Sequence, residues 1–219
     1  MVVDIGGGTT GIAIFREGSI WYTAVLPVGG KQITSDLAMW LDTSYDTAED
    51  LKLRAGTLCP EWKVQPKGVE MLETYGTSVD EVSYIIRARV EEIFRMIRSK
   101  VPCIPEIVVV TGGTAALPGM DIFAQEVLDC QVWIGIPKFL PEDTKGLDHP
   151  RYASAVGIMI LGSRREGPFR NGNGLKHLYS GLCSGLVGVT SRFPRFSFNM
   201  SLHRQPVAQA AIQKWALGR

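Results

Sequence analysis

The sequence lacks several signals by which protein function is often recognised. Its four cysteines contain no C-x-x-C pair, and its three histidines form no cluster with them. This spacing indicates no metal site and favours the reduced thiols of a cytoplasmic protein. No apolar run approaches the roughly 18 residues of a membrane-spanning helix, and no basic stretch with a following apolar block indicates secretion. The sequence therefore predicts a cytoplasmic protein that does not depend on a resident metal cluster.

The two commonest nucleotide-binding patterns are missing as well. The sequence contains neither the Gly-Lys-Ser/Thr of the Walker loop nor the spaced G-x-G-x-x-G of dinucleotide-binding folds. Its adjacent glycines include two clusters that each follow a predicted strand, at residues 6–8 and 112–113. Any nucleotide site must therefore be built around loops of another kind.

The first cluster lies in residues 3–13, VDIGGGTTGIA, a pattern that predicts a strand, a tight loop and a second strand. Such a loop lets backbone N–H groups approach a polyphosphate, and its threonines add hydroxyl donors. Asp4, at the end of the strand, suits contact with Mg²⁺ through water. A glycine-rich hairpin turn without a ligand explains the pattern equally well. The candidate phosphate contacts are Gly6, Gly7, Gly8, Thr9 and Thr10.

The second cluster favours the ligand interpretation. Ile107–Val110 is a β-branched run typical of a buried strand, and it ends in TGGTAALPG at residues 111–119 before a predicted helix. A nucleotide held between two such loops needs small residues on both sides, because a β-carbon would keep the backbone away from it. The candidate contacts here are Gly112, Gly113 and Thr114.

Taken together, these segments resemble the C-terminal half of the bacterial cell-division family FtsA, within the actin/Hsp70/sugar-kinase superfamily. The resemblance covers about residues 2–162 and implies an α/β fold, the actin-like ATPase (ribonuclease H-like) lobe. Its core would span residues 1–35 and 105–162, with an inserted subdomain at about 36–104. The matching segments are VDIGGGTTGIAIF (3–15), AVLPVGGKQITSDLA (24–38), AEDLK (48–52), IIRARVEEIF (85–94), VVVTGGTAALPG (108–119) and YASAVGIMIL (152–161).

This resemblance implies a function. It implies binding of ATP with Mg²⁺, self-association into actin-like filaments, and a link between the FtsZ ring and the inner face of the cytoplasmic membrane at the division site. The FtsZ surface would lie on the subdomain at 36–104, and no nucleic acid is expected. Family members carry another phosphate loop ahead of this segment, so we expect a fragment that binds ATP weakly, without hydrolysis and without catalytic residues. The alternatives are a phosphotransferase of the sugar or acetate kinase type and a nonfunctional truncated fragment.

Two helical side chains and one glycine carry further implications of the resemblance. Glu49 and Lys52 match an E-x-x-K pair that reaches the adenosine, one helical turn apart and on one face. Glu49 also forms a capping-box pattern with Asp46, which would make its role purely structural. Gly11 stands where the family usually has an aspartate, so metal handling by this loop is in question.

Charge divides the chain near Ser163. Residues 163–219 hold nine basic residues and one acidic residue, whereas residues 1–162 hold 14 basic and 21 acidic residues. We therefore predict a basic linker or tail of low order after residue 162. Residues 205–218 form a candidate amphipathic helix for weak adsorption to the membrane, and the alternative is a disordered or out-of-frame segment. The predicted membrane contacts are Val207, Ile212, Trp215 and Leu217.

The hydrophobic periodicity completes the predicted α/β unit. A long helix at 79–99 has a capping box (Ser78 and Glu81), an apolar stripe, and a charged face that we interpret as solvated rather than as a nucleic-acid surface. Residues 56–77 are predicted to be irregular. The other predicted elements are strands at 2–5, 12–16, 20–26, 107–110 and 131–134, and helices at 30–41, 47–55, 120–128 and 150–161.

Overall fold

The computed structural model describes residues 1–62, 64–137 and 146–164. Within these residues, five strands form one mixed sheet in the order β3-β2-β1-β4-β5, with six α-helices. The strands are β1 (Val2–Ile5), β2 (Thr10–Arg16), β3 (Ser19–Leu26), β4 (Ile107–Thr111) and β5 (Gln131–Ile134). The helices are α1 (Gly30–Trp40), α2 (Tyr45–Ala55), α3 (Pro66–Thr74), α4 (Val79–Lys100), α5 (Met120–Leu128) and α6 (Ala153–Arg164).

The register of the central strand decides where the glycine loops lie. Strand β1 pairs antiparallel with β2, so that Asp4 lies opposite Gly11, and parallel with β4, so that Asp4 lies opposite Thr111. Parallel neighbours end at the same edge of a sheet. The loops that follow β1 and β4 therefore leave the sheet side by side.

Helix α4 supplies much of the core, as its apolar stripe predicted. It packs against α1, α5 and β3. Its start has the predicted capping box, in which Ser78 Oγ accepts from Glu81 N at 3.2 Å and Glu81 Oε2 accepts from Ser78 N at 3.0 Å. Each large apolar side chain buried in this way contributes about 1.5–3 kcal/mol. The stripe residues Val82, Ile86, Val90, Ile93 and Ile97 are completely buried.

The prediction that residues 56–77 are irregular was wrong, because they contain helix α3. Pro66 occupies its first turn, where a missing N–H costs nothing. Gly68 lies so close to α2 that a Cβ there would come 2.6 Å from the Arg54 carbonyl oxygen. A helix of nine residues is marginal in isolation, so α3 depends on packing against its neighbours, a contribution that helix propensity does not include.

Several further boundaries differ from the prediction, including the start of α2 at Tyr45 instead of residue 47. Strand β2 begins at Thr10, two residues early, because the loop before it is shorter than expected. The predicted helix at 150–161 starts as a 3-10 turn, Pro150–Tyr152, and continues as α6 to Arg164.

The candidate helix at 205–218 and its four predicted membrane contacts lie outside the described residues. Among the helices that the structure describes, none is long and apolar enough to span a membrane.

The charged face of α4 was predicted to be solvated, and this is only partly right. Glu91 and Arg95 form an exposed pair one turn apart, at 2.6 Å. Arg89 instead donates to both oxygens of Asp36 on α1, at 2.6 and 2.8 Å. Arg87 donates to the Leu58 carbonyl oxygen at 2.6 Å. These two arginines connect α4 to neighbouring elements.

Candidate functional site

The first glycine loop is held on the start of α1 by backbone hydrogen bonds. Gly6 N donates to Thr9 O at 2.9 Å, which closes the turn between β1 and β2. Gly30 N donates to Gly6 O at 2.9 Å, and Lys31 N donates to Gly7 O at 2.7 Å. The first N–H groups of α1 are thus used to dock the loop, and the loop has one defined position relative to α1.

The second glycine loop touches the first. Thr114 Oγ1 donates to Gly6 O at 3.0 Å. Gly112 adopts φ +92°, and a Cβ on it would lie 2.4 Å from both Asp4 Oδ1 and the Ile5 carbonyl oxygen. The absence of a side chain at Gly112 is therefore required for the two loops to meet.

Other glycines of these loops have free space beside them. No heavy atom lies within 4 Å of a Cβ built on Gly8 or Gly113, and a Cβ on Gly7 would meet only the Lys31 side chain, at 3.7 Å. Gly7 and Gly113 both line one cleft, although they come from different loops. A ligand in that cleft can approach backbone atoms of both loops.

The predicted hydroxyl donors occupy different environments. Thr10 is fully buried and donates to Val28 O at 2.8 Å. Strand β2 already begins at Thr10, and successive side chains of a strand point to opposite faces of the sheet. The Thr10 side chain is on the buried face. The Thr114 hydroxyl is used in binding Gly6, whereas Thr9 is exposed. Of the three predicted hydroxyls, the exposed one is that of Thr9.

Asp4 lies half-buried between the two loops and α6. Its Oδ2 accepts a hydrogen bond from Ser154 Oγ. Within the described residues, no group of three or more His, Cys, Asp or Glu side chains could hold a metal ion. Mg²⁺ in nucleotide sites commonly relies on one or two carboxylates plus the phosphates and water, and Asp4 fits such a contact. A Cβ on Gly11, across the strand pair, would be 4.0 Å from Asp4 Cβ, so a second carboxylate there would lie beside Asp4.

Lys52 and Glu49 do lie in the cleft, but they bind each other and α1. Lys52 is 8% exposed, and its Nζ donates to Glu49 Oε2 at 2.6 Å, to Thr34 Oγ1 at 2.8 Å and to Gly30 O at 3.3 Å. An ammonium group has three donors, and all three are used. Thr34 also hydrogen-bonds Glu49. This network joins α1 to α2.

The capping-box alternative for Asp46 and Glu49 was wrong. Helix α2 begins at Tyr45, and Ser44 is its N-cap, with Ser44 Oγ accepting from Thr47 N at 3.2 Å. The sequence offers two residues suited to the N-cap position, Ser44 and Asp46. Only the earlier one coincides with the point where the chain turns into α2.

The cleft has a volume of about 580 Å³, within the range of small-molecule sites. Of the predicted residues, Gly7, Glu49, Lys52, Gly113 and Thr114 line it, whereas Asp4, Gly6, Gly8, Thr9, Thr10 and Gly112 do not. Sequence reasoning missed four polar or aromatic side chains in the lining. These are Lys31, Tyr45, His149 and Arg151.

Three of these four, Tyr45, His149 and Arg151, come from parts of the chain without a strong motif. Lys31 follows the Gly29-Gly30 pair at the start of α1, and that glycine pair was an available signal. His149 caps a 3-10 turn, with its Nδ1 accepting from Arg151 N at 3.2 Å. Burial and the nearby Arg151 charge lower the pKa of His149. The neutral form that this favours is the one able to accept the hydrogen bond.

Comparison with known sequences agrees with this architecture. The family model of cell division protein FtsA matches residues 1–157. FtsA of Pseudomonas aeruginosa (strain PAO1) is 31% identical over 176 residues, which cover 75% of this chain and 42% of that protein. FtsA of Bacillus subtilis is 33% identical, with 74% and 38% covered, and FtsA of Rhizobium meliloti is 35% identical, with 72% and 39% covered. The chain thus spans about two-fifths of the length of these curated relatives.

Solved structures show the same fold. MreB5 of Spiroplasma citri bound to ADP superposes with a TM-score of 0.58 at 17% identity, covering 78% of this chain and 55% of that one. The ethanolamine utilization protein EutJ of Carboxydothermus hydrogenoformans gives 0.52 at 26% identity, covering 72% and 47%. A chain of the PilM-PilN type IV pilus biogenesis complex gives 0.52 at 19%, covering 75% and 46%. The predicted actin-like α/β fold is confirmed.

Proposed function

The chain belongs to the FtsA family of cell division proteins, and from this premise we propose that its cleft binds ATP together with Mg²⁺. The observation that carries the proposal is that Gly7 and Gly113, from two separate loops, line one cleft with their backbones accessible. Two glycine loops that converge in this way can surround a polyphosphate with N–H groups at a distance that side chains would prevent.

The charges around the cleft suit an anion at the loop end. The exposed side chain of Lys31 lies beside Gly7, and Arg151 lines the same cleft. Asp4 would contact Mg²⁺ through water, and the metal would supply positive charge that offsets the charge of the phosphates. The exposed Gly8 and Thr9 extend the phosphate end of the site beyond the cleft lining.

The adenosine would lie toward α2. Tyr45, Glu49 and Lys52 line that end of the cleft. Because all three donors of Lys52 are occupied, its contribution would be a fixed positive charge and a fixed α2 position rather than a free donor. We assign no catalytic residue, and the proposed activity is nucleotide binding without turnover.

In the cell, the proposed role is that of the family. The chain would self-associate, bind FtsZ through the helical part at about residues 36–104, and contribute to holding the FtsZ ring at the inner face of the cytoplasmic membrane. Family membership supports this part of the proposal, together with the basic segment after residue 162. Co-sedimentation of the chain with FtsZ filaments, and separately with anionic lipid vesicles, tests it.

The nucleotide proposal is tested by titrating the 219-residue chain with Mg-ATP in a calorimeter. We expect saturable binding that Gly113→Val weakens at least about tenfold, because its side chain would enter the cleft where the phosphates approach. The control is Gly162→Val on α6, where the same substitution also meets open space. Both variants should keep the wild-type thermal melt. No binding by the wild-type chain, or equal binding by Gly113→Val, would contradict the proposal.

A further inference from the structure

The chain at the start of α6 forms hydrogen bonds to both strands that border the proposed phosphate site, β4 and β1. The Pro150 carbonyl oxygen accepts from Thr111 Oγ1 at 3.1 Å and from Gly112 N at 3.2 Å, where β4 runs into its glycine loop. Four residues later, Ser154 Oγ donates to Oδ2 of Asp4. The 3-10 turn that leads into α6 therefore contacts the end of β4 and its loop through the Pro150 backbone, and α6 contacts the β1 carboxylate through the Ser154 side chain.

The Asp4 carboxylate is held from two directions. Its Oδ1 lies against Gly112, where even a methyl group could not be accommodated, and its Oδ2 binds the Ser154 hydroxyl. A hydrogen bond from a hydroxyl to a carboxylate is charge-assisted and stronger than a neutral one. Ser154 is an exposed residue, and its hydroxyl donates this bond across 150 positions of the sequence. The hydroxyl thus selects one orientation of the carboxylate and leaves its remaining lone pairs available.

We infer that Ser154 is a positioning residue that couples Mg²⁺-dependent nucleotide binding at Asp4 to helix α6. The inference rests on the proposed function of the cleft and adds a residue and a direction of coupling to it. Because coupling of this kind is reciprocal, a ligand that engages Asp4 must also change the stability of the α6 start. Only the Mg²⁺-dependent part of the affinity should depend on the hydroxyl, since Ser154 does not line the cleft.

A pair of variants of nearly equal shape isolates the hydroxyl. Ser154→Thr keeps the donor and Ser154→Val removes it, so any effect of a β-branched side chain on α6 is common to both. Ser154→Ala gives the same comparison without branching. Ser99→Ala at the end of α4 is the control, because the Ser99 hydroxyl bonds only Met96 O in its own helix, at 2.9 Å.

Each variant of the 219-residue chain is titrated with ATP, once with Mg²⁺ and once with EDTA. We expect Ser154→Val and Ser154→Ala to weaken binding of Mg-ATP about five- to tenfold relative to Ser154→Thr and wild type, respectively. Binding of ATP in EDTA should be the same in all of them, and Ser99→Ala should match wild type. Equal Mg²⁺ dependence in the Thr and Val variants would overturn the inference while leaving the proposed function standing.

Amide hydrogen exchange supplies a second readout. In the wild-type chain, Mg-ATP should change exchange in residues 153–164, and this response should be lost in Ser154→Val but kept in Ser154→Thr. A response of equal size in both variants would also overturn the inference. Failure of the wild-type chain to bind Mg-ATP would overturn the proposed function and the inference together, so the two failures are distinguishable.

Discussion

The two sides of the cleft are built in opposite ways. On the loop side, Gly7 and Gly113 present backbone to open space. On the helix side, Lys52, Glu49 and Thr34 present polar side chains whose hydrogen-bonding groups already bind one another. Both sets of residues line or adjoin the same cleft, yet the glycines leave backbone groups accessible, whereas all three donors of Lys52 are already used. A charged side chain in a cleft is thus not by itself evidence that it binds the ligand.

The difference has an energetic reason. A buried ammonium group must satisfy its donors within the protein, because an unpaired buried charge costs several kcal/mol. The network around Lys52 meets that need and fastens α1 to α2. Backbone N–H groups in an exposed glycine loop are solvated by water, so exchanging that water for phosphate oxygens costs little. The loop side can therefore change partners, and the helix side cannot do so without loss of stability.

The largest expected effect comes from comparing a packed glycine with an accessible one in the same loop. Gly112→Ala should lower the free energy of unfolding by about 3 kcal/mol or more, because φ is +92° and the new Cβ would lie 2.4 Å from Asp4 Oδ1. Gly113→Ala, its neighbour, should change it by less than about 1 kcal/mol, since nothing lies within 4 Å. Urea denaturation followed by circular dichroism measures both. Equal destabilisation by the two substitutions would show that the loop does not have this packing.

An intermediate effect compares lysines from the two sides. Lys52→Met should cost about 2 kcal/mol of unfolding free energy, because it leaves Glu49 and Thr34 without their shared donor. Lys31→Met should stay within about 0.5 kcal/mol, since Lys31 is exposed, and should instead weaken binding of Mg-ATP. Lys52→Met should therefore mainly lower the free energy of unfolding, whereas Lys31→Met should mainly lower the affinity for Mg-ATP. If Lys52→Met kept wild-type stability but lost nucleotide affinity, the helix side would be the ligand-binding one.

The smallest expected effect is a pH dependence at the edge of the cleft. The folded-state pKa of His149 is lowered by burial and by the Arg151 charge, so the unfolded chain takes up this proton first as pH falls. The stability that neutral His149 contributes is therefore present above its unfolded pKa, about 6.5, and is lost progressively below it.

His149→Asn sharpens the measurement, because the amide oxygen can still accept from Arg151 N but does not titrate. Between pH 7.5 and pH 5.5, the melting temperature of wild type should fall by more than that of the variant. Parallel curves for the two proteins would show that His149 does not contribute to the pH dependence.

Much of the fold followed from patterns along the chain. The five strands were predicted within two residues at each end. The apolar stripe and capping box of α4 and the two glycine loops were also predicted, because each depends on local periodicity or on adjacent residues. Helix α3 was missed, since its stability comes from contact with α2, as the close approach of Gly68 to Arg54 shows. Arg151 was missed for the same kind of reason, because nothing near it in sequence indicates the cleft, whereas Lys31 follows a glycine pair that was not used as a signal.

The sequence alone determined the five strands, the two glycine loops and most of the helices, where the charge changes sign, and which family the chain resembles, since these depend on residue type and spacing. Only the tertiary structure decided which glycines are packed and which face the cleft. Gly112 and Gly113 are adjacent and chemically identical, yet one touches Asp4 and the other touches nothing. That distinction arises because β1 and β4, which are about 107 residues apart in the chain, pair in register, and no local pattern contains that information.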